Sequence, residues 1–272
     1  MNRNILIVLI IAILTYSSNC FSMDVDLTDP EIKEIGNRIF KNECAEKIAM
    51  LTSWNKGEDF ASLGIGHFIW YPENKEGPFK ESFVELISHM KKKGAELPLF
   101  IRNMVDLNCP WATREEFMGN IDSNEMKELR AFLFRTMDIQ ALFIIHRLDS
   151  SLTLILENTT CELREKVKNN YYAVAAFPDG LYVLADYINF KGRGILPSER
   201  YKGKGWGLKQ VLEEMDEEKV KIDPIKEFAV TAERILIRRV ENSPVKRGEK
   251  RWLKGWKNRI NTYTNTSVGN TK

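Results

Sequence analysis

Glu43 is the residue from which chemistry can be argued first. Ile32, Ile35 and Ile39 recur at helical spacing and lead, four residues on, to Glu43, so a carboxylate sits beside an apolar stripe. Glutamate is seldom buried without a partner. A carboxyl desolvated among apolar neighbours in a cleft holds its proton more tightly, which is what a general acid working near neutral pH requires. The same spacing also allows a solvated edge residue paired with Lys47 at i+4. Further along comes Ser62-Leu63-Gly64-Ile65-Gly66-His67-Phe68. Glycine weakens a strand unless a backbone must come close to something, so Gly64 and Gly66 mark a bend or a place of close approach. No Cys-x-x-Cys is present, and His67, His89 and His146 are the only histidines, so neither a metal centre nor a cofactor is expected.

The elements that would position these groups are mostly helical. Asp29 can cap a first helix with Pro30 at its first position, and the apolar spacing runs through Phe40, Cys44, Ile48 and Leu51 toward an end near Trp54–Gly57. Residues 58–72 lose the 3.6 period and read as a short β excursion or hairpin. Phe83, Leu86, Ile87 and Met90 mark a helix closed by Gly94. Thr113 with Glu116, and Asp122 with Glu125, have capping-box spacing; the second opens a long apolar region, 126–156, with breaks possible at Asp138 or Asp149. Helices follow over 163–176 and 181–190, separated by a turn at 178–180. A loop over 192–205, a short helix at 208–215, a helix begun by Asp223-Pro224 and a closing segment 252–263 complete the reading. A helical body with one small β element is the α+β class.

The chain has 272 residues, 43% hydrophobic and 29% charged, with a net charge of +2. That is ordinary globular composition without a basic patch, so nucleic acid is not an expected partner. Arg3, the apolar run 5–14 and the small residues after it form an export signal over 1–22, too short to span a membrane comfortably. Lipid attachment at Cys20 is the rival, disfavoured by Asn19. Expected after cleavage is a single periplasmic or secreted domain, 23–263, monomeric and without a stable membrane span, ending in a flexible tail, 264–272. Cys44, Cys109 and Cys161 remain, which permits one disulfide of unassigned pairing.

Glu43 followed by the Ser62–His67 pattern resembles the phage-type lysozymes and endolysins. In these a glutamate ends the first helix and a Thr/Ser-x-Gly-x-Gly-His hairpin follows. The resemblance continues in order through Tyr187-Ile188-Asn189-Phe190-Lys191-Gly192-Arg193-Gly194 and Gly255-Trp256-Lys257-Asn258-Arg259. It departs in a longer gap after Glu43, in serine at position 62, in insertions over 94–125 and 192–206, and in Arg259-Ile260 where two arginines are usual. The resemblance implies a lysozyme-like fold and cleavage of the β-1,4 bond of peptidoglycan, or of a related chitin- or chitosan-type glycan, with Glu43 as general acid. It implies a second carboxylate in the hairpin, Asp59 or Glu58, with Ser62 holding the attacking water. If neither acid points inward, it implies instead a lytic transglycosylase, in which the glutamate is both acid and base. His67 matches a structural histidine that pairs with a carboxylate.

Two further regions could touch a glycan. Asn189 stands at a helix end before glycines, where it could cap backbone or reach a sugar N-acetyl group. Arg200, Tyr201 and Trp206 lie in a glycine-rich loop, where arginine suits carboxylates and aromatic rings suit pyranose faces, although Trp206 could equally anchor the loop in the core. The alternative to an enzyme is a catalytically silent cell-wall-binding or envelope scaffold module.

Overall fold

The computed structural model describes residues 27–264 apart from Pro78 and Pro178, and Asp149 by its backbone alone. The expected export segment with Cys20, and the tail beyond Thr264, lie outside the described residues. The fold is mostly helical with a small antiparallel sheet, the α+β class.

Helix α1 spans Asp29–Cys44, capped one residue earlier than expected: Thr28 and Glu31 form the capping box and Asp29 occupies the first helical position. It also ends about ten residues earlier than its apolar spacing implies. Ala45 and Glu46 adopt left-handed backbone, φ 48° and 59°, and the chain enters a separate 3₁₀ turn at Ile48–Leu51. Leu51 is buried there whereas Ile48 is exposed, so the register that seemed continuous is interrupted.

The expected β excursion is a three-stranded antiparallel sheet in the order β1 (Thr52–Ser53), β2 (Ala61–Leu63), β3 (Phe68–Trp70). Gly64 to Gly66 therefore form the turn between β2 and β3 rather than the interior of a strand. Gly64 is left-handed at φ 69°, and a Cβ built on it would stand 2.2 Å from Oε1 of Gln140. That oxygen accepts the Ile65 N–H at 2.9 Å while Gln140 Nε2 donates to the Leu133 carbonyl at 2.6 Å. A fully buried glutamine thus ties the turn to the core, and the close approach at Gly64 is to Gln140. Gly64→Ala combines a strained left-handed alanine with loss of a buried hydrogen bond, and is expected to destabilise by about 2–4 kcal/mol in denaturant titration.

α2 (Phe83–Lys92) closes at left-handed Gly94 as expected, and the short α3 (Leu99–Arg102) and α4 (Arg114–Gly119) follow. Thr113 caps α4, and α5 (Asn124–Arg135) is capped by Ser123 rather than Asp122, its Oγ accepting from the Met126 N–H. The break before α6 (Met137–Glu157) falls at Thr136, and α6 continues through Asp149. Among the described residues α6 is the one helix long and apolar enough to cross a membrane by length and composition. Here it is packed against α1, α2, α5, α7 (Cys161–Ala175) and α8 (Gly180–Lys191), as a core helix.

The expected loop 192–205 holds a 3₁₀ turn, Pro197–Glu199, and a hairpin of β4 (Arg200–Tyr201) and β5 (Lys204–Gly205). The remaining helices are α9 (Leu208–Glu214), α10 (Glu217–Val220), α11 (Pro224–Asn242) and α12 (Leu253–Asn261). One contiguous apolar core joins α1, the sheet and the later helices. Among the described residues no disulfide forms: Cys44 and Cys109 are buried free thiols and Cys161 is an exposed one.

Candidate active site

Glu43 is in the last turn of α1, and its side chain is 14% exposed. It lines a cleft of about 410 Å³ together with the β2–β3 turn, α6, α8 and the segment after α8. Asn189 on α8 donates to Glu43 Oε1 at 2.9 Å, and Arg259 Nη2 on α12 donates to the same oxygen at 2.5 Å. Glu43 Oε2 has no hydrogen-bond partner among the described residues, which leaves that oxygen for a ligand. The α1 stripe of isoleucines delivers the carboxylate to this place, while the left-handed Ala45 turns the chain away and keeps the following residues out of it.

Arg259 is held from behind. Its Nε and Nη2 bond Asp186 Oδ2 and Oδ1 at 2.9 and 2.8 Å, and Asp186 also accepts from Tyr263 Oη at 2.6 Å and Asn42 Nδ2 at 3.2 Å. Asp186 is fully buried, and a buried charge needs such a set of partners. Burial alone would weaken the guanidinium's hold on its proton, yet Asp186 and then Glu43 keep it well above the ordinary arginine value. Burial, and next to it Asp186, push the Tyr263 hydroxyl far above its usual range, so it remains a donor. Two carboxylates share one guanidinium, and Asp186 takes the bidentate face. The Arg259 charge is matched before Glu43 is counted, and its bond to Glu43 fixes the orientation of that carboxyl.

The other expected site residues divide. Gly66 and His67 line the cleft beside Glu43 and Asn189. At Gly66 an added Cβ would meet the Phe68 ring at 2.6 Å, so the missing side chain makes room for Phe68. His67 is left-handed at φ 47°, and its Nε2 is buried without a hydrogen-bond partner. Among the described residues no carboxylate holds it, contrary to the pairing that the resemblance implies. Ser62 is buried in β2 opposite Ser53 and Ile69, and neither it nor Gly64 lines the cleft.

Glu58 and Asp59 stand apart from Glu43. They line a different depression with Trp54, Lys56, Thr113 and Arg114. Trp54 Nε1 donates to the Glu58 carbonyl at 2.7 Å and Asn55 Nδ2 to its carboxylate at 3.1 Å, which closes the loop on itself, and Arg114 Nε on α4 donates to the Trp54 carbonyl at 2.9 Å, which ties it to α4. Neither acid fills the place of a second carboxylate in the cleft; the other carboxylate lining it is Glu199.

Tyr201 and Trp206 also lie outside the cleft. Trp206 is 5% exposed, tilted against Tyr201 with ring centres 4.6 Å apart and covered by the Arg239 guanidinium at 4.0 Å. Tyr201 Oη and Arg239 both bond Glu249, which is 1% exposed, so the pair anchors the β4–β5 hairpin on α11. The aromatic loop is core in this protein.

Lys191, the last residue of α8, is buried between the Phe190 and Trp256 rings, with Nζ 3.8 and 3.4 Å from their centres. The rings favour an ammonium by about 0.5–2 kcal/mol. Burial outweighs them and, with the Arg239 and Arg259 charges, lowers the group from 10.5 to about 6. The unfolded chain therefore binds this proton more readily, a penalty fully present below about pH 6 and relieved as the pH rises toward 10.5. Cys44 and Cys109, which burial raises from 9.0 to about 12, act in the opposite sense only above pH 9. Between pH 7 and 9 unfolding free energy is expected to rise by up to about 1.4 kcal/mol per pH unit, and Lys191→Met to flatten that slope, measured by denaturant titration at each pH.

Arg147, Arg193, Ser151 and Asp186 were not singled out from the sequence. Arg147 interrupts the apolar run of α6 and Asp186 that of α8, and a charge within an otherwise buried helix is a signal available in the sequence. Arg193 lies inside the glycine pattern that follows α8. Comparison of the chain with models of known protein families, with curated proteins and with solved structures finds no match.

Proposed function

We propose that the protein is an exported enzyme that cleaves the β-1,4 bond of peptidoglycan by lytic transglycosylase chemistry. What carries the reading is Glu43, which has one carboxyl oxygen anchored by Asn189 and Arg259 and the other free, in a cleft that neither hairpin acid lines. Glu43 gives its proton to the glycosidic oxygen as the C1–O bond breaks, and the sugar is left oxocarbenium-like. The resulting carboxylate then takes a proton from the sugar's own primary hydroxyl, whose oxygen bonds C1 and closes an anhydro ring. No water is consumed and no second carboxylate is needed, which suits a site where Ser62 is buried away from the cleft.

Hydrolysis is the second reading, supported by Glu199, a second carboxylate lining the same cleft, as a base for water. Purified residues 23–272 incubated with peptidoglycan sacculi, followed by mass analysis of the released fragments, decide between them. Anhydro-ended muropeptides are expected, unchanged in kind in Glu199→Gln. Reducing-end products lost in Glu199→Gln would establish the hydrolase instead. Absence of soluble products with retained binding to sacculi would establish the silent binding module.

A further inference from the structure

Two arginines that the proposed chemistry does not use line the cleft. Arg147 comes from α6 and Arg193 from the turn after α8, and both line the cleft that holds Glu43. Arg193 Nε donates to Ser151 Oγ at 2.9 Å, and that hydroxyl donates to the Arg147 carbonyl at 2.7 Å, so one serine ties the two residues together. Neither arginine forms an ion pair with a carboxylate among the described residues. Burial weakens Arg147's hold on its proton and Arg193 adds repulsion, which is felt more than the attraction of Glu85. The other charged groups around the cleft are already engaged: Lys80 pairs with Glu85, Glu43 bonds Arg259, and Glu199 Oε2 accepts the Leu196 N–H. Two half-buried cations that repel each other and have no carboxylate paired to either are costly unless a ligand supplies one, and the planar fork of arginine matches a carboxylate.

We propose that Arg147 and Arg193 form a subsite for a carboxylate of the substrate, carried on the glycan or on the peptide attached to it, beside the bond presented to Glu43. This rests on the peptidoglycan reading and sharpens it: the pair would select an acidic wall glycan over a neutral chitin-type polymer. Both sources of the anion share that chemistry, the lactyl carboxylate of a muramic sugar that carries no peptide and the carboxylates of a stem peptide.

The test is co-sedimentation of Glu43→Gln, which keeps the cleft while blocking turnover, with untreated sacculi and with sacculi chemically amidated to neutralise all carboxylates, and competition of that binding by soluble glycan strands whose lactyl carboxylates an amidase has freed by removing the stem peptides. Glu43→Gln is expected to bind untreated sacculi at least about tenfold more tightly than amidated ones. Adding Arg147→Gln and Arg193→Gln is expected to erase that ratio. Competition by the peptide-free strands assigns the lactyl group, and its absence the stem peptide. The ratio is read within one variant, so a general loss of affinity does not imitate the result. Should the glutamine pair abolish all binding, Arg147→Lys with Arg193→Lys is read the same way and is expected to keep a reduced preference. An undiminished preference in the glutamine variant, or none in its parent while untreated sacculi are bound, overturns the subsite and leaves the glycan reading standing. Failure of the parent to bind any sacculi overturns both.

Discussion

Glu43→Gln is expected to lower the rate of muropeptide release by about 10³–10⁴-fold, with little loss of stability. A positioned acid or base contributes about 10²–10⁴-fold, and in the proposed chemistry this one carboxyl does both jobs in succession, which places the loss near the upper end. Glutamine keeps an oxygen that can accept from Asn189 and Arg259, so the architecture is retained. What disappears is a transferable proton at the Oε2 position. Arg259 keeps its bidentate partner Asp186, and no buried charge is stranded by the change. The thermal unfolding midpoint is therefore expected to remain close to that of the unmodified protein.

The second large effect is structural. Arg259→Met is expected to destabilise by about 3–5 kcal/mol, because removing one partner of a buried ion pair leaves the other uncompensated. Asp186 would keep only the Tyr263 hydroxyl and Asn42 amide as donors while fully buried. At about 2–4 °C per kcal/mol for a chain of this size, the midpoint should fall by roughly 10 °C. Asp186→Asn combined with Arg259→Met should cost less than the sum of the two single changes, since the stranded charge is then gone. Strict additivity in calorimetry would contradict this picture of the network. Cleavage by Arg259→Met, measured well below its transition, should also fall, because Glu43 loses one of the two donors that orient it.

The periodic parts of the fold were legible in the sequence. The α1 stripe, the Thr113 cap, the closure of α2 at Gly94 and the Pro224 start of α11 all follow from local preferences that packing reinforces. The end of α1 was not, because Ile48 and Leu51 preserve helical spacing while Ala45 and Glu46, with no glycine to announce it, take left-handed backbone. The glycines of the Ser62–Phe68 stretch did mark a close approach, but one partner is Gln140, seventy-six positions away in sequence, and nothing local names it. Glu43, Gly66, His67 and Asn189 line one cleft, a grouping that the resemblance pointed to and that no spacing in the chain dictates. Glu58 and Asp59 do not join them, since Arg114 ties that loop to α4 through the Trp54 carbonyl. Trp206 reads equally well as a sugar platform or a core anchor until the buried Glu249–Arg239 pair beneath it is known. Arg147 and Arg193 come together only through the packing of α6 against α8, which no spacing in the chain encodes.

The central claim is that Glu43 in the α6–α8 cleft performs the chemistry without an acid from the β-sheet loop. It is tested most directly by comparing soluble product release from sacculi by Glu43→Gln and by Glu58→Gln with Asp59→Asn. The expected result is near-total loss in the first and close to unmodified release in the second. Retained release by Glu43→Gln, or its collapse in a folded Glu58→Gln/Asp59→Asn protein, would contradict it.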